Sequence, residues 1–104
     1  MNFEIFVEFL VDPSKLQPIM EEAKVDLHNG IIYLKDKLAI ESQVHLFSEE
    51  MTDDLIEFKE NDFTYIQLFP LKMAIDLISD FSRAERLSNR QLSERLIHYA
   101  IYDA

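Results

Sequence analysis

The sequence predicts an α+β fold: an antiparallel or mixed sheet of four to five strands with helices packed on one face, two of them C-terminal. Alternating apolar residues recur through the first two thirds of the chain, whereas the last third has helical spacing. Runs of strands closed by terminal helices favour this class over a doubly wound fold. The chain has 104 residues, including eight Phe and four Tyr, so we expect one core and a single domain over residues 1–104.

The N-terminal segment predicts a strand followed by a helix. Apolar side chains occupy every second position over residues 3–11, which is the period of a strand. Asp12-Pro13 is typical of an N-cap and the first residue of a helix. Pro18 would break a helix already under way. We therefore expect a helix over 13–24 in which an offset first turn accommodates this proline.

The next segment predicts a β-hairpin. Asn29-Gly30 lies between two short runs, 25–28 and 31–35, that have strand character. Asn-Gly favours a type I′ turn because both central residues take positive φ. Gly30 is the only glycine of the chain, so we expect it to adopt positive φ.

Two further strands are predicted on either side of an ambiguous segment. A turn at Asp36-Lys37 leads into a strand over 38–47, and aromatic and β-branched residues predict another over 63–69. Residues 48–61 favour a helix, because Ser48 is a suitable N-cap and Met51, Leu55 and Phe58 share a helical face. The alternative is that residues 55–59 form a strand that pairs with the next one through Glu60-Asn61.

The C-terminal third predicts two helices. Pro70 opens the first, which carries an apolar stripe. Ser88 and Gln91 have the spacing of a capping box at the start of the second. That helix is expected to continue through Asp103 to the end of the chain.

The charge of the chain restricts its partners. Twenty acids and ten bases give a formal net charge of −10, which repels nucleic acid and anionic membrane surfaces and attracts basic protein surfaces. The alternative is that this charge serves solubility alone. The N-terminus lacks the basic flank of a secretory signal, and no apolar run approaches the ~20 residues of a membrane span. We expect a cytoplasmic protein that binds neither nucleic acid nor membranes.

Motifs for catalysis or cofactor binding are not found. The chain has no cysteine, and His28, His45 and His98 lie far apart without the spacing of metal ligands. A single glycine leaves no phosphate-binding loop or dinucleotide motif. We therefore expect no enzyme activity, no cofactor and no metal. Twenty acids make chance carboxylate pairs so frequent that no pair is informative.

The acidic segment, residues 49–62, is the one concentrated feature. Its seven acids have a single local counter-charge, Lys59, and apolar residues interleave with them. Apolar side chains rimmed by carboxylates suit a surface for a basic partner. The alternative is a solvated acidic face behind which the apolar residues enter the core. The predicted partner-binding residues are Glu49, Glu50, Asp53, Asp54, Glu57, Phe58, Glu60 and Asp62.

Acidity, size and the lack of catalytic motifs together favour a protein-binding module. The first hypothesis is an inhibitor or immunity-type protein, monomeric or homodimeric, that neutralises a basic protein such as a nuclease toxin. The second is a regulatory or structural interaction domain that self-associates. The third is a small enzyme that uses carboxylate and histidine.

Overall fold

Four antiparallel strands form one sheet in the computed structural model, which describes residues 1–102. They are β1 (Gly30–Lys35), β2 (Val44–Ser48), β3 (Glu57–Glu60) and β4 (Phe63–Pro70), and their spatial order is β2-β1-β4-β3. The helices are α1 (Phe3–Val11), α2 (Gln17–Ala23), α3 (Glu49–Thr52), α4 (Leu71–Ala84) and α5 (Asn89–Tyr102), with a 3-10 turn at Pro13–Leu16. The α+β class, the four-stranded antiparallel sheet and the two C-terminal helices are confirmed.

The main core lies between the sheet and its helical layer. Helix α4 packs on β1 and β4, α5 on β4, and α2 on β2, while α1 packs against α4 and α5. Buried side chains from all these elements meet there, among them Phe3, Phe6, Leu10, Leu16, Ile32, Leu34, Leu71, Ile78, Leu92 and Leu96. This packing buries one face of the sheet and leaves the other for a second, smaller cluster.

The predicted N-terminal strand is wrong, because residues 3–11 form helix α1. Its buried residues are spaced at intervals of three and four, as on one face of a helix: Phe3, Phe6, Val7 and Leu10. The Asn2 side chain caps the helix by accepting a hydrogen bond of 2.9 Å from the amide of Ile5. The helix predicted next is confirmed in two pieces, since Pro18 lies in the first turn of α2 after the 3-10 turn.

The predicted hairpin at Asn29-Gly30 is also wrong. Residues 25–29 form a turn in which the Asp26 carboxylate accepts hydrogen bonds from the amides of His28 (2.7 Å) and Asn29 (2.9 Å). Gly30 begins β1, and its φ is not positive. The chain does turn at Asp36, whose φ is 70°. The strand predicted over 38–47 is shorter than expected, because β2 begins only at Val44.

Both alternatives for residues 48–61 hold, each over part of the segment. Ser48 caps α3 as predicted, its hydroxyl accepting a hydrogen bond of 3.1 Å from the amide of Met51. The helix ends at Thr52, and β3 then pairs with β4 through a two-residue turn. Asn61 and Asp62 have φ of 53° and 68°, as both central residues of a type I′ hairpin turn do, so this turn lies one residue later than the predicted Glu60-Asn61.

The C-terminal predictions are confirmed. Strand β4 leads through Pro70 into α4. The Ser88 hydroxyl accepts from the amide of Gln91 (3.1 Å), and the Gln91 side chain accepts from the amide of Ser88 (2.9 Å), which makes a capping box. Asp103, expected to continue α5, lies outside the described residues. Within residues 1–102, no helix is long and apolar enough to cross a membrane.

Candidate functional site

The predicted partner-binding residues lie on successive parts of the chain, namely α3, the loop after it, β3 and the hairpin turn. Six of them are exposed, namely Glu49, Glu50, Asp53, Asp54, Glu57 and Asp62, whereas Phe58 and Glu60 are half-buried. The structure thus presents most of the carboxylates of the acidic segment to solvent.

The acidic segment takes no part in the ion pairs of the described chain. Between residues 1 and 102 there are six such pairs, and their acids are Glu4, Glu8, Glu41, Asp80, Glu85 and Glu94. Six of the seven acids of the segment are exposed, and Lys59 is the only base among them. Carboxylates that lack a local counter-charge keep their full attraction for a basic surface.

Three apolar side chains of the acidic segment are also turned outward. Met51, Leu55 and Ile56 expose 50%, 52% and 74% of their surface. The alternative in which the apolar residues of the segment enter the core is therefore wrong for these three. Phe58 differs from these three, since its half-buried ring packs against Ile31, Tyr33, Phe47 and Tyr65.

An aromatic cluster includes one residue of the acidic segment, Phe58. It consists of Tyr33, Phe47, Phe58 and Tyr65 on the sheet face opposite the main core. The rings of Phe47 on β2 and Phe58 on β3 are 5.1 Å apart, although β1 and β4 lie between those strands. In a flat sheet three spacings of about 4.8 Å would separate them, so the sheet curls around the cluster. The curl buries Tyr33 completely.

Hydrogen bonds fix the loop that carries Leu55 and Ile56. The Tyr33 hydroxyl donates to the carbonyl oxygen of Leu55 at 2.6 Å. The Gln67 side-chain amide donates to the Asp54 carboxylate at 2.9 Å and to the Tyr33 hydroxyl at 3.2 Å. The Gln67 backbone amide donates to the carbonyl oxygen of Ile56 at 2.8 Å. The backbone under the two exposed apolar side chains is thus held by two neighbouring strands.

The turn between α3 and β3 has an uncommon backbone. Asp53 and Asp54 are successive left-handed residues, with φ of 54° and 56°. Aspartate and asparagine tolerate this region better than other non-glycine residues. The first of the two ends α3, while Thr52, which precedes them, is buried. Two of the predicted site residues therefore also shape the chain.

The sequence did not reveal that Tyr33 and Gln67 anchor the site. Both lie outside the acidic segment, on β1 and β4, and reach it because these strands pair with a bulge after Ile32. The signal available was a tyrosine within the apolar run Gly30–Leu34, since a buried Tyr hydroxyl usually needs a hydrogen-bond partner.

Residues 1–102 contain no group of three or more His, Cys, Asp or Glu side chains that could hold a metal ion. The ring of His45 lies against the edge of Tyr65, with centroids 4.6 Å apart. Partial burial lowers the pKa of His45 below its ordinary value of 6.5, and the charges of Lys35 and of the Met1 amino group act in the same direction.

No protein-family model matches the chain, and comparison with curated proteins and with solved structures finds no match.

Proposed function

We propose that the chain is a protein-binding module that docks a basic protein on its acidic segment, as an inhibitor or immunity-type protein does. The observation that carries this proposal is the exposure of Met51, Leu55 and Ile56 among acids that form no ion pairs. An exposed apolar group of this kind, rimmed by charge, is typical of an interaction surface.

The two kinds of side chain would have different tasks. The apolar side chains supply area that leaves water on binding, at roughly 25 cal/mol per Å². The carboxylates act at longer range and raise the association rate by about 10- to 1,000-fold at low ionic strength. The hydrogen bonds from Tyr33 and Gln67 hold the loop in place before binding, which reduces the conformational entropy lost in the complex.

A nuclease toxin is the basic target that we favour. Proteins that bind nucleic acid concentrate Lys and Arg where the phosphates lie. A surface of carboxylates around an apolar centre complements such a cleft and would exclude the nucleic acid from it. A partner isolated at low salt from the native host would provide the protein for the kinetic test.

Charge reversal tests the proposal. We choose Glu50→Lys with Glu57→Lys, because both acids are exposed and have ordinary backbone conformations. Lysine at Asp53 and Asp54 would also disturb two left-handed residues and the hydrogen bond from Gln67. The matched control is Glu22→Lys with Asp76→Lys, which changes the net charge equally at exposed positions of α2 and α4, outside the segment.

Stopped-flow association of the purified partner is then measured at low and at physiological ionic strength. We expect the Glu50/Glu57 reversal to slow association by about tenfold or more at low salt, and by less as screening increases. The control double variant should slow association less at both ionic strengths. A salt-independent association rate that is the same for both double variants and the wild type would overturn the proposal.

Self-association is a second candidate, favoured by exposed apolar residues on the helical layer: Ile5, Val11, Ile101 and Tyr102. Light scattering of the pure protein across a salt series separates the two functions. A stable oligomer larger than a dimer at all salt concentrations would favour self-association, whereas an inhibitor is expected to be a monomer or a homodimer without its partner.

A further inference from the structure

Strand β3 lies at one edge of the sheet, and its outer side pairs with no other strand of residues 1–102. The Gln67 amide donates to the carbonyl oxygen of Ile56, so these two residues form a hydrogen-bonded pair. Hydrogen-bonded and non-hydrogen-bonded pairs alternate along an antiparallel ladder. The backbone of Phe58 therefore faces β4, whereas Glu57 and Lys59 direct their N–H and C=O groups away from the sheet.

The side chains along this edge alternate in the same way. Phe58 lies on the aromatic face, and Ile56, two residues earlier, shares its side of the strand. Glu57 and Lys59 project to the opposite side. An added strand would consequently meet Ile56, Phe58 and Glu60 on one face, and Glu57 with Lys59 on the other.

We propose that the partner contributes an extended basic segment that pairs antiparallel with β3 as a fifth strand, with its backbone hydrogen-bonded to Glu57 and Lys59. This proposal rests on the proposed function and specifies how the acidic segment binds. Residues of the added strand opposite Phe58 would be apolar, and those opposite Glu57 would be Lys or Arg. Strand addition of this kind draws affinity from main-chain hydrogen bonds and specificity from alternate side chains.

Charge selects a basic segment over a second copy of this chain. Antiparallel pairing of two β3 edges about Phe58 would set Glu57 against Lys59 of the second copy, but it would also bring together two acidic segments of seven acids and one lysine each, whose net charges repel. The other edge strand of the sheet, β2, is already paired in part with the N-terminal residues. Met1 and Phe3 pair with it through hydrogen bonds of 2.9 Å to Val44 and 3.0 Å to Ser42.

Short, charged edge strands also protect proteins from unwanted pairing. Strand β3 has only four residues, and Lys59 lies in its centre. The short length limits pairing with neutral strands, while the surrounding carboxylates outnumber Lys59, repel acidic strands and favour a basic one.

The test uses three synthetic octapeptides in which Lys and Val alternate. One is unmodified, one is N-methylated on the Lys amides, and one on the Val amides, so that all three share charge and composition. If Val lies opposite Phe58, the Lys residues carry the amides that face β3. Methylation of the Lys amides should then weaken binding, measured by isothermal titration calorimetry at low salt, by about tenfold or more, while methylation of the Val amides is tolerated.

A protein variant gives a second measurement. Lys59→Pro removes one outward N–H, at an edge position where proline can be accommodated, and Lys59→Thr is its charge-matched control. Both substitutions make the segment more acidic, so charge alone predicts that both bind the unmodified peptide more tightly. Strand addition predicts that the proline variant binds it about threefold to tenfold more weakly than the threonine variant.

Equal binding of the two methylated peptides, or tighter binding of the Lys-methylated one, would overturn strand addition. If a basic partner protein still associates in a salt-dependent manner, only strand addition fails. If neither peptide nor basic protein binds at low salt, the proposed function fails with it.

Discussion

The hydroxyl of Tyr33 donates a hydrogen bond of 2.6 Å to the carbonyl oxygen of Leu55, which lies 22 residues further along the chain. Tyr33 is fully buried in the aromatic cluster, whereas the Leu55 side chain is half exposed. The bond therefore connects the inside of the curled sheet to the loop that presents Leu55 and Ile56. One buried side chain contributes both to the fold and to the shape of the candidate site.

Replacement of Tyr33 by Phe tests this connection. The Leu55 carbonyl would lose its donor, and we expect a loss of roughly 1 kcal/mol in the free energy of unfolding, measured by urea denaturation. Hydrogen exchange should become faster in the loop at residues 53–56. Tyr65→Phe is the matched control, since Tyr65 lies in the same cluster and its hydroxyl makes no hydrogen bond to the described residues. Equal losses for the two variants would contradict an anchoring role.

Gly30 is required for steric reasons. A Cβ atom at this position would lie 2.8 Å from the Asp26 carbonyl oxygen and 3.2 Å from Cγ2 of Val25. We expect Gly30→Val to cost roughly 1–3 kcal/mol, as overpacking does. Gly30→Asn separates this steric role from a requirement for positive φ, because asparagine tolerates positive φ but carries a Cβ atom. Urea denaturation that shows the Asn variant to be as stable as the wild type would contradict the steric explanation.

Ser88 caps helix α5 through the capping box with Gln91. We expect Ser88→Ala to lower the free energy of unfolding by about 0.5–2 kcal/mol, because an amide of the first turn loses its acceptor. Ser79→Ala, at an exposed position within α4, is the control and should cause no loss, since alanine is a better helix former than serine. Indistinguishable denaturation curves for Ser88→Ala and the wild type would show that the Ser88 cap does not stabilise α5.

Local signals explain which elements could be predicted from the sequence. The capping box, Pro70 and the Ser48 cap each act within a few residues of the structure that they specify, and all three were predicted. Helix α1 was missed because seven of its nine residues are apolar. Glu4 and Glu8 are four residues apart, a spacing that places them on one face of either a strand or a helix. The Asn2 cap was the signal that distinguishes the two.

The candidate site was predictable only in composition. Charge density marked residues 49–62, but the hydrogen bonds to Tyr33 and Gln67 depend on the pairing of β1 with β4 and on the curl of the sheet. Such long-range geometry leaves no local pattern. The left-handed pair Asp53-Asp54, which separates helix from strand, likewise has no glycine to indicate it.

His45 gives the fold a defined pH dependence. Its pKa is lowered chiefly by burial, then by the charges of Lys35 and the Met1 amino group, while Glu60 acts in the opposite direction. The unfolded chain therefore takes up the proton first as pH falls below about 6.5. We expect stability to decrease from there until the pH has passed the pKa of the folded state. NMR titration should show that Glu60→Gln lowers this pKa further, and an unchanged or raised value would contradict the assignment.

Alanine substitutions distinguish the residues of the acidic segment that contact a partner from those that support the fold. Met51, Leu55 and Ile56 are half or more exposed, so each change to alanine should alter the free energy of unfolding by no more than about 0.5 kcal/mol. Phe58 packs against Phe47, with ring centroids 5.1 Å apart. Phe58→Ala should therefore cost about 2 kcal/mol, less than a fully buried Phe.

Among the variants that fold, the effect on partner binding should have the reverse order, larger for the exposed apolar residues than for Phe58. Loss of apolar area from Ile56 or Leu55 should increase the dissociation rate of the partner and leave the association rate nearly unchanged, because short-range contacts form after the charges have brought the proteins together. Glu50→Lys with Glu57→Lys should instead reduce the association rate. Surface plasmon resonance with the purified partner measures both rates. If Ile56→Ala lowered stability as much as Phe58→Ala, or left dissociation unchanged, Ile56 would not be a contact residue of this surface.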